Sequence, residues 1–317
     1  MIAPHRVTAQ TRLERGTQTM ANATINGISI EYDVHGPADG EPLLMIMGLG
    51  SQMTRWPPAF YEKLIAKGFR VIRFDNRDVG LSQKFTGVPS VESVVAARMQ
   101  GQKPDIPYTL DDMAADAIAV LDHVGVHRAH LCGASMGGMI SQLVAADYPD
   151  RVLSFTAIFT TTGNPALPPS KPEAMAVLTT RAPDPRKDIE AYLDQALKNA
   201  RTIGSPGFPF EENFMRERLR SDALRCYEPA GVARQLAAVL ANGDRRAKLS
   251  KIKAPTVVLH GDADPLVPVE GGKDLAENIA GAELRIVPGM GHDLPPLLYD
   301  TIVDAICRAV ERGKVST

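Results

Sequence analysis

The chain of 317 residues reads as an α/β protein: a mostly parallel, doubly wound sheet with an antiparallel N-terminal hairpin and a helical insertion. Three observations carry that reading. Short apolar runs alternate with amphipathic helical stretches, the pattern of strands joined by right-handed crossovers. The alternation opens with a segment folded about Asn26-Gly27, a two-residue hairpin signal. From about Thr161 to Ser250 it is interrupted, because prolines there separate helical pieces and no strand-like run appears. The expected organisation is a leader at 1–20, a core at 21–160 and 251–317, and a helical cap or lid at 161–250.

Residues 1–20 show neither helical nor strand periodicity and hold no apolar run long enough for a secretion signal. They are expected to be a flexible leader, an upstream start or an appended segment. Beyond them, Thr24, Ile25, Ile28, Ile30, Tyr32 and Val34 set out the hairpin. Pro42 to Met47 is a continuous apolar run, as expected of a strand covered on both faces, and ends at Gly48-Leu49-Gly50. A helix over about Pro58–Lys67 follows, closed by Gly68. A strand over Arg70–Phe74 then leads into the loop from Asp75 to Ser82.

Met113, Ala117, Val120, Leu121 and Val124 place a helix over about Leu110–Val124. A buried strand beginning at Ala129 precedes a helix over Met136–Tyr148, with Met139, Ile140, Leu143 and Val144 at helical spacing. Val152–Ile158 is a further strand. Helical pieces at Asp188–Asn199, Glu211–Arg220 and Gly231–Leu240 make up the insertion. The alternation then resumes with a strand at Thr256–His260, a helix at Val269–Ile279, a strand at Glu283–Val287 and a terminal helix at about Pro296–Glu311.

Composition narrows the function classes. With 35 basic and 37 acidic residues the formal charge is −2, so no basic surplus exists to hold nucleic acid or an anionic membrane. No apolar run approaches the ~18 residues of a bilayer span. Cys132, Cys226 and Cys307 are widely spaced and odd in number, which fits a reducing, cytoplasmic setting and suggests neither a disulfide framework nor a zinc site. No metal or cofactor is expected. Self-association into a homo-oligomer is left open.

Chemistry concentrates in Gly133-Ala134-Ser135-Met136-Gly137, a G-x-S-x-G sequence between a strand and a helix. Such a turn holds a serine hydroxyl out at a helix N-terminus, where backbone N–H groups favour developing negative charge. A serine hydroxyl needs a base, and the base needs an orienting carboxylate. Downstream, His292 in Gly289-Met290-Gly291-His292-Asp293 is the candidate base, while His260 at a strand end fits a structural role. The loop His260-Gly261-Asp262-Ala263-Asp264-Pro265 supplies the acid: Asp264 is favoured, with Asp262 as the turn-stabilising alternative. Asp75, Arg77 and Asp78 are expected to tie their own loop together.

In that order, GASMGG, HGDADPLVP and GMGHDLP resemble the α/β-hydrolase superfamily over about Ala23 to Arg312. The segments DNRDVGLS and GLGSQMTRWP resemble more narrowly bacterial esterases related to anthracycline methylesterases of the aclacinomycin type. The resemblance implies Asp264 as the acid, an oxyanion hole from the backbone N–H groups of Leu49 and Met136, and a cap domain at the insertion. Met47-Gly48 stands where many relatives have His-Gly, which leaves a backbone donor intact. A lipase-type HGGG run is absent, and serine at the elbow departs from the aspartate of dehalogenases and epoxide hydrolases.

The expected pocket is apolar, formed about Gly48 and Leu49 with Met53, Trp56, Met136 and Met139. Together these features point to a carboxylic ester hydrolase that works through an acyl-enzyme on a small-molecule ester. A lactonase or a cofactor-free, haloperoxidase-like perhydrolase would use the same triad. A ligand receptor on a hydrolase fold would keep the triad and turn over very slowly.

Overall fold

A computed structural model describes residues 19–315. The expected leader therefore lies outside the described residues except for Thr19 and Met20, which already belong to the first strand, β1 (Thr19–Ile25). Asn26 and Gly27 both take positive φ, 51° and 76°, as a two-residue hairpin turn demands, and Ile25 pairs with Ile28 at the start of β2 (Ile28–His35).

From there strands and helices alternate. They are β3 (Glu41–Ile46), α1 (Pro58–Ile65), β4 (Phe69–Phe74), α2 (Val91–Met99), α3 (Leu110–His123), β5 (Ala129–Ala134), α4 (Met136–Asp147) and β6 (Val152–Ile158). The insertion contributes α5 (Pro172–Thr179), α6 (Ile189–Ile203), α7 (Glu212–Arg225), α8 (Pro229–Asn242) and the short α9 (Arg246–Leu249). The chain closes with β7 (Thr256–Gly261), α10 (Val269–Asn278), β8 (Glu283–Val287) and α11 (Tyr299–Val315).

The strands form one sheet in the order β1-β2-β4-β3-β5-β6-β7-β8, with β1 and β2 antiparallel to their neighbours and the rest parallel. Its two faces are covered separately. Helices α3, α4 and α10 pack on one face, and α1 and α11 on the other. This double cover explains the continuous apolar run in β3: Leu43 and Met45 face one layer, Leu44 and Ile46 the other, and all are buried. Each such side chain contributes roughly 1.5–3 kcal/mol on leaving water. Because β3, β5 and β6 lie side by side at the middle of the sheet, the loops after them meet at one carboxyl edge.

The insertion leaves the core after β6 and returns before β7, over that same edge. Its own apolar cluster is small: Leu193, Ala196, Leu197 and Leu219, between α6 and α7. Ala238 of α8 and Leu249 of α9 reach into the core, and a set of polar contacts joins the insertion to it as well. Arg234 of α8 holds both oxygens of Asp78, at 2.8 and 2.9 Å, and the Tyr108 hydroxyl also donates to Asp78, at 2.5 Å. Arg225 of α7 pairs with Asp75 at 2.7 Å, and Asp75 also accepts the amides of Met53 and Leu81. Gln235 receives the Gly50 amide at 2.7 Å and donates to the Arg77 carbonyl at 2.6 Å. The loop carboxylates expected to tie their own loop together therefore also tie the insertion to the sheet.

Three helices were not apparent in the sequence: α2, α5 and the four-residue α9. Helix α2 buries only Val94 and α5 only Ala174, so neither shows a broad apolar stripe. Among the described residues, no helix is long and apolar enough to cross a membrane.

Candidate active site

The turn after β5 is built by close approach. A side chain at Gly133 would stand 2.3 Å from the Gly137 carbonyl oxygen, and one at Gly137 would stand 2.0 Å from the Ile46 carbonyl oxygen. Only glycine fits either position. Between them Ser135 takes φ 54° and ψ −121°, a strained conformation for a side-chain-bearing residue, held by its amide donating to the Ile158 carbonyl at 2.9 Å. Thr160 holds the Ser135 carbonyl at 2.8 Å. The serine is thereby aimed out of the sheet at the start of α4.

Ser135 Oγ lies 2.9 Å from His292 Nε2, and His292 Nδ1 lies 2.7 Å from Asp264 Oδ2. Asp264 Oδ1 accepts the amides of Leu266 and Val267, each at 2.8 Å, so its other oxygen is left to face the imidazole. That network assigns the Nδ1–H tautomer of His292, with Nε2 free to accept the serine proton. Of the two acid candidates the structure brings Asp264 to His292. Asp262 is exposed and accepts the Gly289 amide at 2.7 Å, holding the turn that leads to His292.

His260 stays out of this line. Burial pushes its pKa down, and its Nε2 bonds the Val267 carbonyl at 2.8 Å, so it is a neutral ring that shapes the acid loop.

The amides of Leu49 and Met136 meet no acceptor among the described residues. Both residues line a cavity of about 760 Å³ that also includes Ser135, His292, Gly48 and Met139. The expected pocket residues Met53 and Trp56 do not reach it. Trp56 is fully buried and stacks on Phe60 at 5.6 Å in the layer of α1 and α11. Met53 is buried at the short turn before it, its amide spent on Asp75. Arg55, between them, does line the cavity, so it is the direction of each side chain at this turn, and not nearness in sequence to the Gly48 loop, that decides which residue reaches it.

The structure adds residues that the sequence did not single out. Phe159, at φ 36° after β6, sets its ring 4.6 Å from the His292 ring. Burial pushes the Asp293 carboxyl pKa up, and the Ser205 hydroxyl donates to it. The same hydroxyl receives the Gly291 amide at 2.8 Å, and the Ile203 carbonyl receives the His292 amide at 2.7 Å. Gly207 donates to Gly289 at 2.9 Å, and a side chain at Gly291 would stand 2.2 Å from the Gly204 carbonyl oxygen. Residues 203–207 of the insertion are thus knitted to the loop that carries the imidazole. The positive φ at Phe159 leaves no mark in a local pattern, and Ser205 looks like any loop serine.

A serine, an aspartate and a histidine joined in this way at the carboxyl edge of a doubly wound sheet, in the chain order Ser135, Asp264, His292, are the arrangement of an α/β hydrolase. A family model described as the alpha/beta hydrolase fold matches residues 41–296, and the chain belongs to that family. Within it the chain is related to the anthracycline methylesterases. Rhodomycin D methylesterase DnrP of Streptomyces peucetius is 30% identical over 289 residues, covering 86% of this chain and 91% of that one. The 3-oxoadipate enol-lactonase 2 of Acinetobacter baylyi is 27% identical over 295 residues, covering 90% and 95%. Among solved structures, the enol-lactonase of Burkholderia xenovorans superposes with a TM-score of 0.69 at 23% identity, over 92% of this chain and all 100% of that one, a likeness of fold.

Proposed function

We propose that this hydrolase cleaves carboxylic esters through a serine acyl-enzyme. The observation that carries the proposal is the unbroken line Asp264–His292–Ser135, at 2.7 and 2.9 Å, opening into a largely apolar cavity. Ser135 Oγ attacks the ester carbonyl as its proton passes to His292 Nε2. Asp264 holds the tautomer and stabilises the imidazolium that forms. The carbonyl oxygen, now an oxyanion, takes the amides of Leu49 and Met136, donors whose direction is preset by the backbone. Collapse of the tetrahedral adduct expels the alcohol, which receives the proton from His292. Water activated by the same ring then releases the acid and restores Ser135.

The relatives named as a methylesterase and an enol-lactonase support ester-type carbonyl chemistry for this fold. A lactone ring opens by the same steps, so lactones belong in the substrate panel. The insertion serves as a cap: Met215 and Leu219 of α7 and Val232, Leu236 and Val239 of α8 line the cavity roof opposite Ser135. A cap of this kind excludes water and shapes the acyl or alcohol site.

The test is turnover of p-nitrophenyl esters of graded chain length and of lactones by wild type and Ser135→Ala. Hydrolysis by wild type and its loss in the variant are expected; equal rates overturn the assignment. A long-chain serine-directed phosphonate should also protect the amides of α8 from hydrogen exchange. Protection confined to the loops of Gly48, Ser135 and His292 would remove the cap role.

A further inference from the structure

Arg218 of α7 lines the cavity that holds Ser135 and His292. Its Nη2 donates to the Arg55 carbonyl at 2.7 Å, and its guanidinium stands 5.3 Å from the Phe214 ring. Among the described residues no carboxylate lies within 4 Å of it. The contrast with its neighbour is sharp: Arg55, on the same wall, pairs with Asp222 at 2.5 Å. Elsewhere the arginines that join insertion to core, the half-buried Arg225 and the buried Arg234, are each matched to an aspartate. Burial, with the Arg55 charge second, pushes the Arg218 pKa down to about 10, so the group is strained by desolvation yet charged at neutral pH. Asp222 and Asp293 act on it only from a distance. A desolvated cation with no carboxylate in contact is costly, and a ligand that supplies one recovers part of that cost on binding.

We propose that Arg218 is an anion subsite of the cavity, selecting esters that carry one carboxylate on an otherwise apolar frame. The proposal rests on the esterase reading of Ser135. A planar guanidinium fits a carboxylate edge with two parallel N–H donors. One unpaired guanidinium, with Arg55 already neutralised, matches a single negative charge and not a dianion. Leu49, Met139, Phe159, Leu219, Val239 and Leu266 supply the apolar walls for the rest of the molecule. The one carboxylate nearby on the wall, Asp293, is engaged by Ser205.

The experiment compares matched esters. Monophenyl glutarate against phenyl pentanoate places the charge on the acyl side; carboxymethyl butanoate against propyl butanoate places it on the alcohol side. Wild type is expected to favour the anionic member of at least one pair by about tenfold or more in kcat/KM, the range of a charge-assisted hydrogen bond. Arg218→Gln keeps an N–H donor for the Arg55 carbonyl but removes the charge, and should erase that preference mainly through KM. Arg218→Lys should restore part of it. A mis-seated insertion would lower both members of a pair alike and leave the preference standing, which would overturn the subsite, as would a wild type with no anionic preference in either pair. Calorimetric titration of Ser135→Ala with the same esters reads the subsite without turnover. Tighter binding of an anionic ester that is lost in the Arg218→Gln double variant supports it, even should the esterase reading fail. Equal binding of both members overturns it.

Discussion

The sheet and the insertion are held by different physics. In the sheet, side chains such as Leu43, Leu44, Leu131 and Val258 are buried between two helical layers, a force that depends on area and hardly on direction. The insertion has a small apolar cluster of its own and sends only a few side chains, Ala238 and Leu249 among them, into the core; the rest of its attachment runs through Arg234–Asp78, Arg225–Asp75, Gln235–Gly50 and Gln52–Asp222. Bonds of that kind add little net stability once desolvation is counted, but each tolerates only one geometry. The scaffold is therefore placed by burial, and the roof of the cavity is placed by register.

The widest test of this contrast lies in the proposed triad, which is carried on loops of the scaffold. Ser135→Ala should lower ester hydrolysis on the order of 10³-fold or more while the melting temperature stays close to wild type. A variant keeping more than a tenth of the rate would remove Ser135 from the nucleophile role. Asp264→Asn should cost kcat on a similar scale, on the order of 10³–10⁴-fold, since it reverses the donor pattern facing His292. Asp262→Asn should act through stability, by about 1 kcal/mol, because its contact is one amide bond to Gly289. If the two activities came out exchanged, the carboxylates would have been assigned the wrong way round.

Arg234→Met leaves Asp78 buried without its partner and should destabilise by about 3–5 kcal/mol. The loss should be uneven: hydrogen exchange is expected to quicken in α7 and α8 well before β3 and β5. Uniform loosening would mean that insertion and sheet share one cooperative unit. As a control, the exposed pair Arg201–Glu212 should yield no more than about 1 kcal/mol when broken.

The smallest effect concerns His260. Its folded pKa lies below the ordinary value of 6.5, so below that value the unfolded chain takes up a proton that the folded ring refuses. Its contribution to stability is therefore lost as pH falls through about 6.5 and is absent as a source of change above it. His260→Gln should flatten the fall in melting temperature over that interval; an unchanged slope would show that other groups govern it.

Much of the scaffold was legible in the chain because its signals are local. A two-residue turn at Asn26-Gly27, apolar runs in β3, β5 and β7, and a glycine-flanked serine each declare themselves within a few residues. Ser135, Asp264 and His292 could be singled out together because each follows a strand ending at one sheet edge, and the structure brings their side chains within hydrogen-bond distance. Met53 and Trp56 misled because proximity to the Gly48 loop says nothing about which way a turn carries its side chains. Arg218 was invisible for a different reason. In RERLRSDALR six of the ten residues are charged, and only the packing of α7 shows which arginine has been left without an acid.

The turn at 203–207 joins these two regions at one place. His292 borrows the Ile203 carbonyl, Gly291 and Asp293 share the Ser205 hydroxyl, and Gly289 meets Gly207. Lifting that end of the roof must break these links together, so the molecule cannot be open there and keep its imidazole loop fully tethered. Access and competence are mechanically interlocked. Under the proposed roles, water admitted by a raised roof would meet a slackened base, and the roof could not be exchanged for another without resetting the loop of His292 beneath it.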